Sequence, residues 1–245
     1  MKDQVAREAP ATSHSRESAA NEAIPIGNHY DKYGSTNSIE QRMMANFMKS
    51  LGELLEGLAP RRILEIGVGE GEIVERLAQR FPGADIIGVD LPDERLAGEW
   101  RQRHLPAVFA DATKLPFDDG TFDLALAIEV LEHIPVPQQA LDELARVCHG
   151  TVILSVPFEP IWRIGNMARG RYLKELGNTP GHVNHWTRRG FRKFVDAELT
   201  VESQRSPLPW TMLRATTRTG SADVVADGNE LRDEPIPGSR CDGSR

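Results

Sequence analysis

The run Ile63-Leu64-Glu65-Ile66-Gly67-Val68-Gly69-Glu70-Gly71 decides how this chain is read. Its apolar first half predicts a short strand over residues 62–66. Gly67, Gly69 and Gly71 then let the backbone turn sharply and approach a ligand with no side chain in the way. Residues 72–80 follow with helical spacing. A strand that empties through glycines into a helix opens a doubly wound α/β sheet, whose ligands sit at the carboxyl ends of the strands.

Working outward, strands are expected at 85–89, 107–110, 122–128, 151–156, 199–204 and 210–215. Residues 122–128 are apolar at nearly every position, as a strand covered on both faces should be. Helices are expected at 38–58, where Ile39, Met43, Met44, Phe47 and Leu51 recur at helical spacing, and at 138–148, after Pro137. The whole implies a Rossmann-like α/β fold: a seven-stranded, mostly parallel sheet with helices on both faces and an antiparallel edge strand. Residues 1–22 and 217–245 are too polar to bury a core and are expected to be disordered tails. The domain then spans 23–216, with an N-terminal lid and helix at 23–60 and an insertion at 157–195.

The chain has 245 residues, 40% hydrophobic and 27% charged, ordinary for a soluble domain. A net charge of −7 argues against a general nucleic-acid binder. Cys148 and Cys241 form no CxxC, so neither a disulfide framework nor a zinc site is expected. No stretch approaches the roughly 20 apolar residues of a membrane span, and no signal peptide is visible, which makes the cytoplasm the expected location.

The glycine loop is acidic. A dinucleotide fingerprint needs glycine at 67, 69 and 72, but position 72 is Glu. Glu70 and Glu72 would repel a pyrophosphate, whereas a sulfonium or ammonium ligand would be welcome. The second strand ends at Asp90, placed to accept from ribose hydroxyls, with Leu91 beside it as an apolar face for adenine. Asp111 and Ala112 end the third strand region, where Asp111 can accept from the adenine amino group.

In EIGVGEG, IIGVD, ADATKLPFDDGTFDLALAIEVLEHI and TVILSVP, spanning 64–156, the chain resembles the class I methyltransferases that use S-adenosylmethionine, in particular the ubiquinone-pathway branch. The resemblance implies methyl transfer from that cofactor and assigns Glu65, Gly67, Gly69, Asp90 and Asp111 to binding it. Gly71, Leu91, Ala112 and Glu129 join the expected cofactor site. HYDKYGSTN resembles the family's lid, with Tyr30 and Tyr33 either closing over the cofactor or packing.

Glu129, Glu132 and His133 follow the fourth strand, and His182 and His185 come later in GHVNHW. On a helix the first three would share a face. Similar E-x-x-E-H arrangements are metal sites in some relatives. Three readings are open: all five residues hold a divalent ion such as Mg²⁺, which would activate a hydroxyl; His133, Glu129, His182 or His185 acts as a metal-free base; or the segment only packs.

Residues 161–195 carry eight Lys/Arg and only Glu175 as an acid, a local reversal of the overall charge. Trp162, Arg163, Asn166, Tyr172, Asn184 and Trp186 offer indole faces and directional hydrogen bonds suited to a saccharide. The expected reaction is therefore O-methylation of a polar small molecule or saccharide. Alternatives are a quinone, polyketide or other phenolic acceptor, a non-catalytic cofactor-binding protein, or an NAD-dependent oxidoreductase. Oligomeric state, a homodimer included, is left open.

Overall fold

In the computed structural model, residues 37–168, 178, 179 and 181–218 are described. The expectations for both tails up to residue 36 and from 219, and for Tyr30, Tyr33 and Tyr172, fall outside those residues.

The chain runs α1 (Ser38–Leu54), β1 (Arg62–Ile66), α2 (Glu72–Arg80), β2 (Asp85–Asp90), α3 (Glu94–Arg103) and β3 (Ala107–Phe109). It continues through β4 (Phe122–Ile128), a 3-10 turn (Leu131–His133), α4 (Pro137–Val147), β5 (Cys148–Pro157), α5 (Glu159–Ala168), α6 (Arg188–Asp196), β6 (Leu199–Arg205) and β7 (Trp210–Thr217). The strands form one sheet in the order β3-β2-β1-β4-β5-β7-β6. The first five are parallel, while β7 runs antiparallel to both neighbours and leaves β6 as the edge.

The near-continuous apolar run of β4 is explained by its two covered faces. Ala125 and Ala127 belong to a core shared with Leu141 and Leu144 of α4 and Phe191 and Val195 of α6. Leu124, Leu126 and Ile128 point the other way, into a core with Phe47, Leu51 and Leu54 of α1 and Leu77 of α2. Helices on both faces are what a parallel sheet requires.

Three differences from the sequence reading have local causes. Helix α1 stops at Leu54 rather than 58, because Gly57 turns the chain at φ 74°. Helix α3 was not expected: in this polar segment only Leu96 and Trp100 are buried, a single i,i+4 pair, and Asp93 caps the helix by accepting from Arg95 and Leu96 N–H. Helix α6 is hidden the same way, with only Phe191 and Val195 buried among arginines.

Candidate active site

Strand order reverses at β1 and β4, and in a sheet of this kind the crevice beyond the carboxyl ends at that point takes the ligand. A cavity of about 510 Å³ lies at this edge. Its walls include Glu65, Gly67, Gly69, Asp90, Leu91, Asp111, Ala112 and Glu129, so nearly all the described residues expected to bind cofactor come together. Gly71 is the exception. It caps α2 at φ 89°, and a side chain there would strike Leu105, so it packs under the loop and outside the cavity wall.

Gly69 lines the cavity at φ 52°, with no atom within 4 Å of where a Cβ would sit, so its backbone is open to close approach. Its N–H donates to Asp90 Oδ2 at 2.8 Å, and Leu91 N–H donates to Asp90 Oδ1 at 2.8 Å, which fixes the carboxylate at the tip of β2. The Trp100 indole donates to Gly69 O at 2.8 Å from the unforeseen α3, pinning the loop from behind. Asp111 Oδ1 accepts from Thr113 N–H and Oγ, both at 2.8 Å.

The electrostatics favour a cation. Glu65 is 1% exposed, and its Oε2 finds no hydrogen-bond partner among the described residues. Burial pushes its carboxyl well above the usual range, and the Asp90 charge adds to this. Burial also raises Asp90, against the two backbone N–H bonds it accepts. Glu70 and Glu72 line the cavity too, but they pair with Arg95 at 3.1 Å and Arg76 at 2.7 Å. Four further carboxyl groups stand in the same wall: Glu65, Asp90, Asp111 and Glu129.

Beyond β4 the chain does not continue as a helix. Glu129 sits at φ 59°, unusual for a non-glycine residue, and only a three-residue 3-10 turn follows. The single face expected for Glu129, Glu132 and His133 therefore does not form. Glu129 instead accepts from Trp210 Nε1 at 2.6 Å and from Ser155 Oγ at 3.0 Å.

Glu132, His133 and His182 do converge, each offering a ligand atom within 4.8 Å of the others. His133 Nδ1 lies 3.0 Å from Gly181 O, and His182 Nδ1 lies 2.9 Å from Glu159 Oε1. With the proton on Nδ1, each ring donates to that oxygen and keeps its lone pair on Nε2, as metal-ligating histidines do. His185 lies outside the group, 3.4 Å from Glu159 Oε1. Of this cluster only His133 lines the cavity.

Residues 64–155 match the family model described as a methyltransferase domain. This stretch is a class I methyltransferase domain. S-adenosylmethionine is the cofactor its family implies. The chain is 35% identical over 135 residues to a malonyl-acyl-carrier-protein O-methyltransferase of Legionella pneumophila, covering 51% of this chain and 47% of that protein. It is 36% identical over 126 residues to a demethylmenaquinone methyltransferase of Thermus thermophilus, covering 48% and 57%. The chain thus spans about half the length of the curated relatives it matches. Among solved structures, the PH0226 protein of Pyrococcus horikoshii superimposes with a TM-score of 0.59 at 19% identity, over 78% of this chain and 97% of that one, and so shares the fold.

The insertion places its expected acceptor residues elsewhere. Trp186 packs on Phe191 and Phe194, with ring centroids 5.5 and 5.6 Å apart. Asn184 donates to the backbone oxygens of Leu131 and Ile134, clamping the turn after β4. Asn166 is buried and donates to Thr179 Oγ at 3.2 Å. None of these three, nor Arg163, lines the methyltransferase cavity, and the Trp162 side chain is outside the described residues. Among the lining residues that were missed are Met44, Phe47 and Trp210. Helical periodicity marked the first two as core, and Trp210 carried no signal beyond its place after a proline turn.

Proposed function

We propose that the chain is an S-adenosylmethionine-dependent methyltransferase whose acceptor is a hydroxyl on a small molecule with a flat, apolar body, of the quinol or phenol class. The observation that carries this reading is the polarity of the cavity along the sheet edge. The acids Glu65 and Asp90 stand at the tips of β1 and β2, and Phe47 and Trp210 meet edge to face at 4.9 Å on the β7 side. With adenine at Leu91, Asp111 and Ala112 and ribose at Asp90, the sulfur of the cofactor falls over β1 and β4. The acceptor then approaches from the side of Met44, Phe47 and Trp210. A saccharide is the less favoured acceptor, since Trp186 is engaged in packing and Asn166 and Asn184 in internal hydrogen bonds.

The acceptor oxygen attacks the methyl carbon in line, the C–S bond breaks, and its electron pair stays on sulfur, leaving S-adenosylhomocysteine. His133, in the cavity wall, is the candidate to take the hydroxyl proton. The rest of the catalysis is positioning.

A metal-assisted reading is supported by the convergence of Glu132, His133 and His182. Two imidazoles and one carboxylate suit Zn²⁺, Mn²⁺ or Fe²⁺ better than Mg²⁺, which takes oxygen donors. A bound ion would supply Lewis-acid polarisation of the acceptor hydroxyl. Metal analysis of the purified protein and of a His182→Ala variant tests this; stoichiometric metal lost in the variant supports it, and metal-free protein with full activity after chelation removes it.

The function itself is tested by transfer of labelled methyl from S-adenosylmethionine to catechols and quinols, saccharides and a malonyl thioester. Label in the aromatic set supports the reading. Label confined to saccharides or thioester overturns the acceptor class.

A further inference from the structure

Glu129, just past the end of β4, meets Ser155 of β5 and Trp210 of β7 at the β4 end of the cavity. The Trp210 indole N–H donates to Glu129 Oε2 at 2.6 Å, and the Ser155 hydroxyl donates to Oε1 at 3.0 Å. An indole N–H can only donate, so Oε2 is an acceptor, and with the Ser155 hydroxyl hydrogen turned toward Oε1 both oxygens accept, as in an ionised carboxylate. The backbone is held as firmly. Glu129 keeps φ 59° while its N–H reaches Ser155 O and Oγ, both at 3.2 Å. A non-glycine residue in this region persists only where its surroundings fix it, and such residues cluster at functional sites. Ser155 is fully buried and Trp210 is 4% exposed, so both donors sit on a rigid frame. Glu129 and Trp210 both line the cavity.

We propose that Trp210 and Ser155 are positioning residues that hold the Glu129 carboxylate as a fixed negative charge facing the sulfonium of bound S-adenosylmethionine. The inference rests on the methyltransferase reading and deepens it. The tips of β1 and β4 are adjacent, so a cofactor anchored at Asp90 brings its sulfur toward Glu129. Transfer turns the sulfonium into a neutral thioether. The attraction to Glu129 then ends, which favours release of product over retention.

The test compares affinity for S-adenosylmethionine and S-adenosylhomocysteine, two ligands that differ by the methyl group and its charge, measured by calorimetry on the full chain. Glu129→Gln is expected to lower the preference for the charged ligand roughly tenfold, the modest end of what charges a few ångström apart give at an effective dielectric near 20. Trp210→Phe keeps an aromatic ring and loses the donor; it and Ser155→Ala should shift the same ratio in the same direction, by roughly threefold. Equal weakening of both ligands would assign the network to structure and overturn the proposal, as would an unchanged ratio in Glu129→Gln. Wild-type protein that binds neither ligand would instead overturn the methyltransferase reading on which it stands.

Discussion

Replacing Glu65 by Gln is expected to uncouple cofactor binding from proton release. Glu65 lies near the end of β1 with 1% of its surface exposed, one carboxyl oxygen without a partner among the described residues, and Asp90 close enough to add repulsion. Burial and that neighbour hold its carboxyl well above the usual range, so the empty site keeps its proton to higher pH than an ordinary carboxyl would. S-adenosylmethionine brings a sulfonium and an ammonium, and a cation in the cavity favours the ionised carboxylate. Binding must then expel the proton to solvent.

Linkage sets the magnitude. One proton released per ligand makes affinity rise about tenfold, or about 1.4 kcal/mol, for each pH unit below the raised pKa, and level off above it. Asp90, also raised, adds in the same direction. Keeping the experiment between about pH 5.5 and 7 avoids titrating the ligand's own amino group, whose pKa is near 7.7–8.0. Calorimetry in two buffers of different ionisation enthalpy counts the protons directly. Wild type should release up to one more than Glu65→Gln. The same proton count in both proteins, or a wild-type affinity flat across this range, would refute the reasoning. The empty protein gives a second check of sign. Folding raises this acid's pKa, so the native state binds more protons, and stability falls as pH rises from the unfolded value through the folded one. Glu65→Gln should flatten that fall and melt no lower than wild type at neutral pH.

Three further outcomes follow from the packing. Leu126→Ala, at a fully buried position in the middle of β4, is expected to cost about 3 kcal/mol in urea unfolding; a loss under about 1 kcal/mol would mean the core beneath α1 is not formed as described. Met44→Ala removes apolar wall from the acceptor side of the cavity and should raise the acceptor KM several-fold while leaving cofactor affinity unchanged, and an effect on the cofactor alone would move the acceptor site elsewhere. Cys148, 1% exposed with its thiol pushed up to about 12 chiefly by burial, should resist alkylation in the native protein at pH 8, as read from its peptide by mass spectrometry.

The parts of this protein that were legible in its sequence are those where local chemistry and fold impose the same demand. The glycine loop had to be glycine because Gly67, Gly69 and Gly71 all sit at positive φ, and Asp90 had to end β2 because its carboxylate ties the loop through Gly69 N–H. Such features recur at fixed offsets along one strand–turn–helix unit. The acceptor side is built differently: Met44 and Phe47 come from α1 and Trp210 from β7, brought together across more than 160 positions only by the reversal of β7 beside β5. No spacing rule connects them, and each is individually indistinguishable from core. Glu129 shows the opposite failure. Its neighbours Glu132 and His133 have helical spacing, but its positive φ and its bonds to Ser155 and Trp210 break the face that spacing promised. A carboxyl group held by donors from two strands is a tertiary fact that spacing cannot reveal, and that is why a metal ligand was expected where the structure shows hydrogen bonds to Ser155 and Trp210.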